Sequence, residues 1–267
     1  MTFGEKLALA RKRRGWTQTE LAERVGVSVE AVSKWEQDAY EPKGENRRAL
    51  DSLLGLSRLE PDGTEALPRH FDEEHMSAFL RGKLNALRLP ETQRALAFAK
   101  QCHEGQYRKP GRLVPYINHP LTMACHALAM GLEDDSLLAA LLLHDAVEEC
   151  RPRVGLADLP VSAETRELVR LVTKPELGYS SAEYFAAIVK NPKACLVKCI
   201  DRCNNLSTMA IGFSPEKVAE YIEETETWYP PLLRVVKEQP EFNNAAWLLS
   251  YQIKSLLATA KRISRPA

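Results

Sequence analysis

The sequence predicts an all-α protein: a small helix-turn-helix bundle followed by a larger multi-helix domain. Three observations carry this. Apolar residues recur at helical spacing from end to end, while strand-like alternation is scarce. The chain has 267 residues, more than one compact helical unit needs. A stretch rich in Pro, Gly and polar residues, Gly55-Leu56-Ser57-Arg58-Leu59-Glu60-Pro61-Asp62-Gly63-Thr64, interrupts the pattern. The expected division is a first domain over 1–57, a linker over 58–71 and a second domain over 72–267.

Residues Thr17 to Ser28 read as a short helix, a turn and a new helix start. Thr17 and Glu20 fit a capping box, Gly26 supplies the left-handed conformation of a tight turn, and Ser28 caps a helix over 29–37. Two helices joined this way make a helix-turn-helix. In the second domain, helices are expected over roughly 72–88, 90–104, 119–130, 134–149, 162–173, 180–190, 192–210, 215–239 and 242–263. The stretch 105–118, rich in Gly, Pro and basic residues, reads as a loop.

The 36 basic side chains balance the 36 acidic ones, which excludes attachment to nucleic acid by bulk charge and leaves only a local patch such as Arg11 to Arg14. No apolar run has the length of a membrane span, and the N-terminus lacks a signal peptide's apolar stretch, so the expected location is the cytoplasm, with no membrane partner. The six cysteines include no CxxC pair and are expected as free thiols.

The chemistry concentrates in three segments. The apolar run Leu137 to Leu143 ends in His144-Asp145, and a divalent cation is an economical partner for an imidazole and a carboxylate beside so apolar a helix. Glu148 and Glu149 follow each of them by four residues, one helical turn on. His119 closes the basic loop and opens a helix. Lys198, Asp201, Asn205 and Thr208 line one face of a helix whose other face is Leu196, Val197, Cys199, Ile200, Cys203 and Leu206.

The first domain resembles the Cro/cI-type (XRE) DNA-binding domain through Arg11, Gly15, Thr17-Gln18, Leu21-Ala22, Gly26-Val27-Ser28, Val32-Ser33, Trp35-Glu36 and Pro42. The resemblance implies a structural Arg11–Glu36 pair, a phosphate contact from Gln18, and Ser28, Glu30, Ala31, Ser33 and Lys34 facing the major groove of DNA, bound as a homo-oligomer. A protein-binding module of the same fold is the alternative.

The order His119, His144-Asp145, Asp201 resembles the four-ligand arrangement of HD-domain phosphohydrolases. His103-Glu104-Gly105-Gln106, Arg108-Lys109, residues 115–120 and 141–149, Lys174, Arg202, Asn205, Tyr221 and Tyr229 narrow the likeness to the hydrolase domain of RelA/SpoT-type alarmone enzymes. The likeness runs from about residue 90 to 235. No synthetase-like region follows, so a hydrolase-only form is expected. The resemblance implies Mn2+, with Fe2+ or another divalent metal as alternatives, held by His119, His144, Asp145 and Asp201, and ppGpp or pppGpp as substrate. Glu148 would orient or deprotonate water, Glu149 would be the second acid/base group, and Asn205 would donate to phosphate or water. Arg108, Lys109, Tyr116, Lys198 and Thr208 would contact the nucleotide.

Two positions depart from the family: Glu149 stands in place of Asp, and Asn204 in place of His. Asn204 lies off the polar stripe and is expected to matter little. Cys195, Cys199 and Cys203 read as small buried hydrophobes, His103 as a hydrogen-bonded structural histidine, His126 as core or boundary, and Trp228 and Trp247 as core. Joining the domains suggests an antitoxin that represses its own operon and removes an alarmone made by a neighbouring toxin. Two alternatives stay open: a transcriptional regulator that senses a nucleotide without hydrolysis, and a hydrolase of ppApp or NADPH.

Overall fold

The computed structural model describes residues 2–54, 72–108, 114–175 and 178–263. The expected linker and Lys109 lie outside the described residues. The described residues are helical, with no strand among them and one isolated bridge between Tyr107 and Pro115. They form two compact units, Met1–His70 and Phe71–Ala267.

The first unit holds α1 (Phe3–Arg13), α2 (Gln18–Val25), α3 (Val29–Glu36) and α4 (Gly44–Leu54). Its core is Leu7, Ala10, Leu21, Ala22, Val32, Trp35, Leu50 and Leu54. The turn follows its sequence. Thr17 and Glu20 form a reciprocal capping box, Gly26 adopts φ 76°, and the Ser28 side chain accepts from Ala31 N–H. Gly4 is required by close approach, since a Cβ there would lie 2.5 Å from the Glu36 carbonyl oxygen. Arg11 is clamped to Glu36 through two bonds of 2.6 and 2.9 Å and donates to the Trp16 carbonyl.

The second unit holds α5 (Glu73–Leu87), α6 (Pro90–Cys102), α7 (Asn118–Ala129), α8 (Asp135–Leu143), α9 (Ala146–Glu149), α10 (Ala163–Val172), α11 (Ser181–Ile188), α12 (Pro192–Gly212), α13 (Pro215–Lys237) and α14 (Asn243–Ile263). Every residue from Leu137 to Leu143 is fully buried, because α8 packs against α6, α7, α10 and α12 at once. A helix apolar on all sides needs such a central place. α12 runs beside it and packs on α13 and α14, so Asp201 is carried to the ends of α7 and α8.

Three expectations need correction. The helix expected over 134–149 breaks, with His144 and Asp145 at the junction of α8 and α9. The His144 ring takes the Leu141 carbonyl at the helix end, a choice that hydrophobic period cannot reveal. The cysteines are not all free: Cys102 and Cys150 form a disulfide, since the ends of α6 and α9 bring their Cα atoms to 6.3 Å. Cys125, Cys195, Cys199 and Cys203 are free, the last three buried as expected. Trp247 is 68% exposed and stacks on Tyr251 on the outer face of α14, and His126 is exposed too.

Candidate metal and nucleotide site

His119 enters on the first turn of α7, His144 and Asp145 on the α8–α9 break, and Asp201 from the middle of α12. Their ligating atoms converge. The two imidazole Nε2 atoms lie 3.2 Å apart. His119 Nε2 is 3.2 Å from Asp201 Oδ1 and 3.6 Å from Asp145 Oδ2. His144 Nε2 is 3.2 Å from Asp145 Oδ1 and 3.8 Å from Asp201 Oδ1. Both histidines are almost fully buried.

Each ring is held from behind. His144 Nδ1 donates to the Leu141 carbonyl at 2.9 Å, and His119 Nδ1 to Asn204 Oδ1 at 2.6 Å. The opposite nitrogens are thereby turned toward the two carboxylates. Tyr116 donates its hydroxyl proton to Asp145 Oδ2 at 2.6 Å. Asp201 accepts from Lys198 at 3.0 Å and from Asn205 Nδ2 at 2.6 Å. Two imidazole nitrogens and two carboxylates, all oriented by outer partners, are a donor set that fits a divalent cation.

The buried charges of the cluster bias one another. Burial opposes ionisation of Asp201, but Lys198 and then His119 hold its carboxyl well below the usual range. Asp145 is likewise lowered against burial by His144. Burial disfavours a charged His144, yet Asp145 and Asp201 raise it to about 9. Burial lowers His119, with Asp201 opposing. Glu148 is raised, first by burial and then by Asp145, although the Lys174 backbone N–H, bonded to its carboxylate, pulls the other way.

The cluster opens into a cavity of about 780 Å³. Glu148, Glu149, Arg108, Tyr116, Lys198 and Asn205 reach it as sequence suggests. Their contacts refine the expected roles. Asn205 is engaged on both sides, donating to Asp201 and accepting from Arg108 at 2.6 Å. Lys198 is committed to Asp201, and Tyr116 supports Asp145. Thr208 does not line the cavity; its hydroxyl bonds the carbonyls of Asn204 and Asn205.

Sequence reasoning gave no role to Lys174, Phe213, Lys217 or the cavity face of Tyr221, which also line the cavity. Phe213, Lys217 and Tyr221 recur every four residues across the start of α13, a spacing visible in the sequence, whereas Lys174 enters from the segment after α10. Asn204 was expected to matter little, but it is buried and bonded to His119. A face count along α12 cannot detect this, because His119 arrives from 85 residues away. His103 is bonded to Gln106 and stacks on Tyr116 with ring centres 4.8 Å apart.

In the first unit, Ser28, Glu30 and Lys34 are exposed and Ala31 and Ser33 half-buried. Lys34 pairs with Glu30 at 2.7 Å, and Ser33 accepts from Gln37. Gln18 donates to Glu36 at 2.8 Å, an internal partner in addition to the expected phosphate role.

A helix-turn-helix family model matches residues 7–60. A mouse protein named guanosine-3′,5′-bis(diphosphate) 3′-pyrophosphohydrolase MESH1 is 35% identical over 138 residues, which is 48% of this chain and 77% of the mouse protein. A protein named guanosine-3′,5′-bis(diphosphate) 3′-pyrophosphohydrolase from Aquifex aeolicus is 32% identical over 149 residues, 53% of this chain and 21% of its own length. The bifunctional (p)ppGpp synthase/hydrolase SpoT of Escherichia coli is 33% identical over 159 residues, 54% and 22% respectively. The chain thus spans about a fifth of these bacterial relatives. A solved chain described as a metazoan ortholog of SpoT superposes with a TM-score of 0.49 at 21% identity, covering 63% of this chain and 94% of that one. Given its likeness to most of the mouse protein, the chain belongs to the guanosine-3′,5′-bis(diphosphate) 3′-pyrophosphohydrolase family.

Proposed function

We propose that the second domain is a Mn2+-dependent hydrolase that removes the 3′-diphosphate from ppGpp or pppGpp, and that the first domain binds DNA. The observation that carries the reading is the convergence of His119, His144, Asp145 and Asp201 beside a cavity with cationic walls. The family names of the relatives support the substrate class. Fe2+ suits the same donors.

When bound, the ion would lower the pKa of water and polarise a phosphoryl oxygen. The chain's own groups do the rest. Glu148, raised by burial, accepts a proton from water as the water oxygen bonds the 3′ phosphorus; the bond from that phosphorus to the ribose oxygen breaks, and the oxygen leaves as the alcohol with a proton returned through Glu149. Glu149, exposed at the cavity mouth, is placed to exchange that proton with solvent. Arg108, steadied by Asn205, and the cavity-lining Lys174 and Lys217, which pair with Glu224 and Glu220, offer charge to the phosphates. Lys109 would add to this cationic set. Tyr116 keeps Asp145 in place.

In the first domain, Ser28, Glu30, Ala31, Ser33 and Lys34 would face the major groove with Gln18 near a phosphate, two copies reading two half-sites. Such a protein suits control of its own operon beside an alarmone-synthesising toxin. The test is incubation of Mn2+-loaded protein with ppGpp, ppApp and NADPH. Pyrophosphate should be released from ppGpp and lost on chelation or in Asp201→Ala. Release that survives either treatment contradicts the mechanism, and preference for ppApp or NADPH contradicts the substrate.

A further inference from the structure

His119 and His144 face each other across the cluster, and their outer supports differ in kind. His144 leans on a main-chain carbonyl, that of Leu141. His119 leans on a side chain, the Asn204 amide, from a helix remote in sequence. Asn204 is 4% exposed. Its own backbone carbonyl accepts from Thr208, so the residue is held within α12 while its side chain points across to α7. An amide oxygen only accepts. The proton of a neutral His119 must therefore sit on Nδ1, leaving the Nε2 lone pair directed at the space among His144, Asp145 and Asp201. With no acceptor at 204, the ring is free to carry its proton on Nε2, which puts an N–H where a cation would bind.

From this geometry we propose that Asn204 is a positioning residue that fixes the tautomer and tilt of His119, and thereby sets the affinity of the cluster for a divalent cation. This rests on the metal-site reading above, although not on the identity of the nucleotide. Loss of such outer-shell partners typically weakens metal affinity by about 10–100-fold.

The test titrates Mn2+ alone into the full chain, comparing wild type, Asn204→Leu and Asn204→Asp, with thermal melting of each as a fold control. Asn204→Leu keeps the shape without the acceptor and should bind Mn2+ about 10–100-fold more weakly at an unchanged fold. Asn204→Asp keeps the acceptor and should bind far more tightly than the Leu variant. If Asn204→Leu does not fold, imidazole 15N shifts of wild-type His119 decide instead: a proton on Nδ1 supports the assignment, and one on Nε2 overturns it. Equal Mn2+ affinity in a folded Asn204→Leu chain also overturns it, as does an Asp variant as weak as Leu. Tight Mn2+ binding with no attack on ppGpp sinks the proposed substrate and leaves Asn204 in its role. A wild-type chain that binds no Mn2+ removes both.

Discussion

Glu148 shows how position tunes one carboxyl. It is half-buried at the cavity edge, near enough to the charge of Asp145 for its proton to be held above the usual glutamate value. A base must be ionised to accept a proton, so activity should be complete above that raised pKa and fall as pH drops through it. The acid limb of kcat/KM is expected at a higher pH than an ordinary glutamate gives, with unit slope. A profile that stays flat down to the ordinary range would remove Glu148 from the role. Tyr116→Phe keeps the ring stacked on His103 and deletes the bond to Asp145. Mn2+ affinity should drop by about tenfold with little change in melting, as expected for a lost outer-shell partner. Arg11 and Glu36 are a buried pair in the other unit. Arg11→Ala leaves the Glu36 carboxylate with only the neutral Gln18 amide as partner, and should destabilise that unit by about 3 kcal/mol in denaturant melts.

Helices differ in how much of their role the sequence discloses. α2 and α3 are fully legible, since capping box, Gly26 and Ser28 are local devices that work as read. α8 is legible as a buried core helix, yet its end is not. The break at His144-Asp145 depends on a ring reaching back to Leu141, and both flanks carry helical pattern. On α12 the stripe of Lys198, Asp201 and Asn205 is visible by spacing, and it does reach the cavity. Thr208, next in the stripe, turns to its own backbone, as a hydroxyl four residues beyond a carbonyl often does. Asn204 is invisible to the same count because its partner lies on another helix. Leu141→Ala tests the element directly. Truncating a fully buried leucine at the centre of four packed helices should cost roughly 2–5 kcal/mol. A melt unchanged within error would mean that α8 is not central to the core.

At the level of the whole molecule, net charge is zero and α3 pairs Lys34 with Glu30. DNA binding by such a protein draws on few phosphate contacts, so log K should fall with log salt on a shallow slope. A steep slope would point to a larger set of phosphate contacts, with the Arg11 to Arg14 cluster as its first source. The chain divides into a small and a large unit, Met1–His70 and Phe71–Ala267, while the Pro- and Gly-rich stretch lies outside the described residues. Lys174 was not legible as a cavity residue, because it follows α10 and joins Phe213, Lys217 and Tyr221 only once the domain has folded. The Cys102–Cys150 bond was hidden for the same reason. The central claim is that four side chains from three distant segments share one cation. Anomalous diffraction from crystals grown with Mn2+ tests it most directly. One peak should appear between the Nε2 atoms of His119 and His144 and the carboxylates of Asp145 and Asp201. A peak elsewhere, or none, would contradict it.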